Sequence, residues 1–113
     1  TRMTKYHAKA TVVDGIRFAS KAEAERYCQL KVLEKSQEIT LLELQPKYPI
    51  NIGGKKICTY IGDFRYFTKD AVVVEDVKGV LTPVYRLKKK LVEAMYPGVT
   101  ITEIKITKRR FIA

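Results

Sequence analysis

Tyr60-Ile61-Gly62-Asp63-Phe64-Arg65-Tyr66-Phe67 and Val72-Val73-Val74-Glu75-Asp76-Val77-Lys78-Gly79 are the two runs on which the fold turns, and the four residues Thr68-Lys69-Asp70-Ala71 lie between them. Both runs are rich in β-branched and aromatic side chains, which predicts strands over residues 56–67 and 71–77. The second is too apolar for an exposed edge and belongs in the middle of a sheet. A four-residue loop sets Phe67 opposite Val72, and the same register brings Asp63 opposite Asp76 on one face. Period-two alternation puts Asp63 with Ile61 and Phe67, Phe64 and Tyr66 on the other side, Asp76 and Lys78 with Val72 and Val74, and Glu75 facing away from them.

Asp is a poor strand former, and in a strand with two apolar faces it is costly unless something binds it. Two facing carboxylates repel, so the pair persists when a divalent cation or a shared proton compensates it. With oxygen ligands that cation is Mg²⁺ or Mn²⁺. The plainer reading of Glu75, Asp76 and Lys78 is a strand leaving the core, with solvated acids screened by the lysine.

Residues 1–10 are polar and basic and read as a loose arm. Residues 11–18 form a hairpin turning at Asp14-Gly15, a pair suited to positive φ. Ser20 caps a helix over residues 21–35, with Glu23 completing a capping box. At about 100° per residue, Glu23 falls within the apolar face made by Ala24, Tyr27, Leu30 and Leu33. Glu23 therefore has two readings, a helix cap and a chemical group, and the helix alone does not choose between them. Strands follow over residues 39–45 and 48–52, punctuated by Pro46, Pro49 and Gly53-Gly54. Beyond the central strand, Thr82-Pro83 opens a second helix that stops at Pro97-Gly98. Its apolar face is Val84, Leu87, Leu91, Ala94 and Met95, while Arg86, Lys89 and Lys90 make much of the rest. Residues 99–106 close the fold as a last strand, and residues 107–113 are a basic tail. The order is helix, strands, helix, strand: a single α/β or α+β domain over residues 1–113, with a mixed sheet of four to five strands flanked by two helices.

The chain has 113 residues, with 22 Lys plus Arg against 12 Asp plus Glu, a net charge of +10 and 46% hydrophobic residues. That suffices for one small core and leaves no room for a second domain. No apolar run approaches the roughly 20 residues that cross a bilayer, and residues 1–20 lack a secretory apolar block, so the expectation is a soluble cytoplasmic protein. Cys28, Cys58 and the single His7 cannot form a four-ligand zinc site, and two cysteines do not make a disulfide scaffold. His7 reads as a plain surface histidine. The cationic surplus points to a polyanion, nucleic acid first. Arg86, Lys89 and Lys90, extended by Lys105, Lys108, Arg109 and Arg110, are the candidate phosphate contacts. Tyr48, Tyr60, Tyr66 and Tyr85 are mostly core by pattern, though an exposed ring among them could stack on an unpaired base. Nothing resembles a base-reading helix, so DNA shape rather than sequence is the expected target.

The ordered array Ser20-Lys21-x-Glu23 at a helix start, Gln45-Pro46, Tyr60-Ile61-Gly62-Asp63-Phe64 and Glu75-Asp76-Val77-Lys78-Gly79 before a basic helix resembles the small phage- and prophage-encoded proteins of the PD-(D/E)XK nuclease superfamily. That superfamily includes restriction endonucleases, archaeal Holliday junction resolvases and the endonuclease subunit of Tn7-type transposases. The resemblance runs over residues 12–106. It implies a restriction-endonuclease-like core and a Mg²⁺- or Mn²⁺-dependent endonuclease acting on DNA, with branched or junction DNA in phage DNA processing as its substrate. It casts Asp63 as the metal-binding Asp, Asp76 as the second acid, Lys78 as the catalytic Lys, Glu23 as the helical Glu completing the site, and the Val77 carbonyl as a further metal ligand. The residue before Asp63 is Gly62 where the superfamily pattern has Pro, and the Glu75-Asp76 doublet is resolved for Asp76 by parity with Lys78. The competing expectations are a non-catalytic DNA-binding or packaging accessory, and a nuclease subunit active only within a larger complex. A homodimer or a phage or transposition partner protein would then supply specificity.

Overall fold

In the computed structural model, which describes residues 10–106 and 111–112, the Asp14-Gly15 pair turns the first hairpin with φ of 53° and 75°. The hairpin joins β1 (Thr11–Val13) to β2 (Ile16–Phe18), with Val13 opposite Ile16. Ser20 then accepts a hydrogen bond from the Glu23 N–H and starts α1 (Lys21–Lys35). Ala24, Tyr27 and Leu30 form the buried stripe of α1. Tyr27 also donates to Asp14 at 3.0 Å, tying the helix to the hairpin turn.

Eight further elements follow: β3 (Thr40–Leu44), β4 (Lys47–Ile52), β5 (Lys55–Ile61), β6 (Phe64–Phe67), β7 (Val72–Lys78), α2 (Pro83–Met95), β8 (Val99–Ile106) and β9 (Phe111–Ile112). The main sheet has the order β3-β6-β7-β8-β9, and β4 and β5 form a separate hairpin. β7 lies at the centre, antiparallel to β6 and parallel to β8, with α2 making the crossover between the parallel pair. The fold is thus the expected mixed sheet with two helices. They cover opposite faces. Phe64, Tyr66, Val77 and Ile104 pack with the α1 stripe. Val74 and Ile101 pack with Tyr85 and Val92 of α2 and with Tyr48, Ile50 and Tyr60 of the β4–β5 hairpin.

Three expectations are corrected. The strand expected over residues 56–67 is two strands, because the chain leaves the β4–β5 hairpin at Ile61 and enters the main sheet at Phe64. The apolar face assigned to the second helix is largely exposed: Val84 is 63% and Leu87 58% accessible, whereas Tyr85 and Val92, two turns apart, are buried. The aromatic side wins because the Tyr85 hydroxyl finds an acceptor in Glu103. The flanking lysines add to this by reaching polar partners at the helix margins, Lys88 the Thr59 carbonyl and Lys89 the Glu103 carboxylate. The segment beyond residue 106 is not tail throughout, since Phe111 pairs with Ile106 and Ile112 with Lys105. Residues 1–9 of the arm expected over residues 1–10, with His7, and the tail residues Lys108, Arg109 and Arg110 lie outside the described residues. Among the described residues, no helix is long and apolar enough to cross a membrane.

Candidate active site

The break at Gly62-Asp63 builds the site. A Cβ at Gly62 would lie 2.6 Å from Val74 Cγ1 and 3.4 Å from Pro46 Cγ, so only glycine lets the chain pass this close to the central strand. The Gly62 N–H donates to the Pro46 carbonyl at 3.0 Å, the Asp63 N–H to the Glu75 carbonyl at 2.9 Å, and the Gln45 N–H to the Asp63 carbonyl at 3.0 Å. The expected register holds, Phe67 pairing with Val72 and Phe64 with Glu75. Asp63 lies just past the last pair, and there its side chain takes over the ladder: Oδ2 accepts the Val77 N–H at 2.7 Å.

That bond turns the Asp63 carboxyl toward its neighbours. Asp76 is within hydrogen-bonding contact of it, and Glu23 of α1 acts on it through its charge. Burial above all, then the Glu23 charge, raises Asp63 from 3.8 to about 7, with the Val77 N–H pulling the other way. Glu23 is also raised, chiefly by burial and further by Asp76, while the Ala19 N–H and Lys78 favour its ionised form. Asp76 is buried. Its Oδ2 accepts from the Tyr60 hydroxyl, and its Oδ1 lies 3.3 Å from Lys78 Nζ.

Glu23, Asp63, Asp76 and Lys78, from α1, the β5–β6 junction and β7, thus lie within electrostatic reach of one another. Two hollows open on them. One, of about 110 Å³, is lined by Glu23 and Asp63 with Arg17, Phe18 and Gln45. The other, of about 320 Å³, is lined by Asp76 and Lys78 with Tyr60, Thr82, Tyr85 and Lys88. Among the described residues, no group of three or more His, Cys, Asp or Glu side chains is set to hold a metal ion. The donor chemistry nevertheless fits a hard divalent cation. The Asp63–Asp76 pair offers carboxylate oxygens in a largely buried setting, where burial first and neighbouring negative charge second push Asp63 toward protonation.

Glu75 faces the opposite side of the sheet. Arg26 grips it with two bonds, Nε to Oε1 and Nη2 to Oε2, each 2.7 Å, and the Tyr66 hydroxyl also donates to Oε2. With 1% exposure and every oxygen engaged, it ties α1 to β7 and has no room for a ligand. Val77 presents its N–H to Asp63 and its side chain to the α1 core.

The basic residues singled out on the second helix line a different hollow. Arg86, Lys89 and Lys90 sit with Leu81, Glu93 and Glu103, and Lys89 pairs with Glu103 at 2.7 Å. Lys88, not singled out from the sequence, is the α2 lysine that shares the hollow of Asp76 and Lys78. Tyr60 and Tyr85 were read as core or stacking rings and not as neighbours of Asp76 and Lys78, and Arg26, which anchors Glu75 on the other side of the sheet, was not singled out. A signal existed for Arg26: three residues after Glu23, beside the apolar stripe, an arginine calls for a buried acid.

A family model covering residues 3–110 matches the chain. The chain belongs to DUF1064, a family of proteins of unknown function. No curated protein matches it.

Proposed function

We propose that this DUF1064 protein is a Mg²⁺- or Mn²⁺-dependent endonuclease that hydrolyses phosphodiester bonds in DNA. What carries the reading is one observation: two carboxylates in contact at the end of a central strand, a third from a helix within charge range, and an ammonium 3.3 Å from one of them. The order of these residues along the chain resembles the PD-(D/E)XK pattern. Asp63 and Asp76, with Glu23 and the Val77 carbonyl, would hold the cation. When bound, it would polarise a phosphoryl oxygen and ease deprotonation of a water. Lys78 places a positive charge where the scissile phosphate gains negative charge, and it can orient the attacking water. The Val77 N–H fixes the Asp63 carboxyl, and the Tyr60 hydroxyl fixes Asp76, so neither acid has to reorganise as charge develops.

DNA is the partner that the surplus of ten positive charges favours. Arg86, Lys89, Lys90, Lys108, Arg109 and Arg110 are the proposed phosphate contacts. Branched or junction DNA is the proposed substrate, in the cytoplasm of a bacterial host and within phage DNA processing. A second copy of the chain or a phage or transposition protein would then supply targeting.

The test is to incubate the protein with supercoiled plasmid and with a four-way junction in Mg²⁺, Mn²⁺ or EDTA, beside Asp63→Ala and Lys78→Ala. Metal-dependent cleavage lost in both variants is expected. Cleavage absent with every substrate and metal, or surviving both substitutions, removes the enzyme. Salt-sensitive binding without cleavage would leave a DNA-binding accessory.

A further inference from the structure

An ammonium on a four-carbon arm at a strand end has many rotamers, and a lysine that acts on a phosphate must spend little entropy reaching it. In this fold Lys78 is held from two sides. Asp76 Oδ1 lies 3.3 Å from Nζ. On the other side Nζ stands over the Tyr85 ring, 4.3 Å from its centroid, well inside the range of about 6 Å in which an ammonium is drawn to an aromatic face.

The ring is itself fixed at three points. Thr82 Oγ1 accepts the Tyr85 N–H at 3.1 Å, so the cap that starts α2 also sets where Tyr85 stands. The Tyr85 hydroxyl donates to Glu103 on β8, whose carboxylate also holds Lys89 at 2.7 Å. The Tyr60 ring lies 6.3 Å away, and the whole side chain is buried in the core beneath α2. Tyr85 cannot swing aside without breaking the Glu103 bond and opening that core.

We infer that Tyr85 is a positioning residue, whose ring face holds the Lys78 ammonium beside the Asp63–Asp76 pair. The chemical logic concerns competition. A further carboxylate there would neutralise the ammonium, and an aliphatic side chain would supply bulk without attraction. The π face attracts the cation and leaves its charge available to a phosphate. The catalytic consequence rests on the nuclease reading above; the placement of the ammonium does not.

The experiment compares Tyr85→Phe, which keeps the ring, with Tyr85→Met and Tyr85→Leu, which keep apolar bulk without it. Dispersed amide spectra select the folded variants, and two ringless substitutions guard against one that fails to fold. Two quantities are read. The first is the ring-current displacement of the Lys78 ε-methylene protons, assigned against Lys78→Arg. The second is the single-turnover cleavage rate at saturating plasmid in Mg²⁺, together with the affinity for DNA. The expected result is a displaced ε-methylene signal in the parent and in Tyr85→Phe, and an undisplaced one in the ringless variants. Cleavage should slow about tenfold in the ringless variants at unchanged DNA affinity, with most of the rate retained in Tyr85→Phe. An ε-methylene signal indifferent to loss of the ring overturns the placement. Lost displacement with an unchanged cleavage rate overturns the positioning role. A parent protein that cuts nothing, with the ring-current pattern intact, sinks the nuclease reading alone and leaves the placement standing.

Discussion

Asp63→Asn should make the protein more stable and inactive at once. In the unfolded chain this carboxyl releases its proton near 3.8, and in the folded protein near 7. Between those values the folded state binds more protons than the unfolded one, so stability falls as pH rises. The favourable contribution of protonated Asp63 is complete below about pH 4 and is lost as pH climbs through 7. Asparagine removes the charge and keeps an oxygen for the Val77 N–H. About three pH units at 1.36 kcal/mol each set a ceiling near 4 kcal/mol. Since the shift is shared with Glu23 and Asp76, which relax when Asp63 is neutral, a gain of about 1–3 kcal/mol at pH 8 is expected, vanishing below about pH 4. Urea unfolding at pH 4, 6 and 8 measures it, followed by circular dichroism because the chain has no Trp; plasmid cleavage with Mg²⁺ is assayed alongside. A variant less stable than its parent at pH 8 would refute the reasoning, for Asp63 would then be a structural acid held by the Val77 N–H. A stabilised variant that still cuts DNA would separate the strained acid from the chemistry.

The same strain makes the parent responsive to cations. At pH 8, Mg²⁺ or Mn²⁺ at about 100 times its dissociation constant should stabilise it by about 2.7 kcal/mol and leave Asp63→Asn nearly unmoved; equal shifts in the two proteins by differential scanning fluorimetry would dissociate the acid pair from metal binding. Arg26→Met leaves Glu75, 1% exposed, with only the Tyr66 hydroxyl, and should cost about 3–5 kcal/mol. Arg26→Met combined with Glu75→Leu should recover most of that loss in urea unfolding, and a double variant as unstable as the single one would mean that the pair is not the source. Gly62→Ala forces a methyl to 2.6 Å from Val74 Cγ1 and should cost about 1–3 kcal/mol; adding Val74→Ala should bring part of it back, and simple additivity of the two losses would contradict the contact.

The register of the central hairpin was legible because loop length and period-two alternation are local quantities: four residues between Phe67 and Val72 admit the observed pairing. The helix starts at Ser20 and Thr82 were legible for the same reason, each cap bonding a residue three positions on. What escaped was set by partners distant in sequence. The run from residue 56 to 67 is mostly apolar, aromatic or β-branched on both sides of Gly62-Asp63, with Lys56 and Arg65 as its other polar members, so its composition does not announce that it serves two sheets; the break is imposed by the approach of Val74, twelve residues downstream of Gly62. The buried face of α2 was misread because counting aliphatic residues favours Leu87 and Val84. The acceptor that makes Tyr85 the better residue to bury is Glu103, on a strand that follows the helix.

The Glu75-Asp76 doublet joins these two kinds of information. Alternation alone sends the two acids to opposite faces, which is local. Which one is clamped depends on what each meets: Glu75 meets an arginine that grips both its oxygens, and Asp76 meets another carboxyl, a phenol and an ammonium. An acid with its charge matched on a single rigid fork is spent on structure. An acid set against a second acid keeps unmet negative charge, which is the quantity a hard cation would answer. The chain places these two outcomes on consecutive residues. The Arg26–Glu75 clamp that silences one acid also fixes α1, and with it Glu23, against the strand that presents the other.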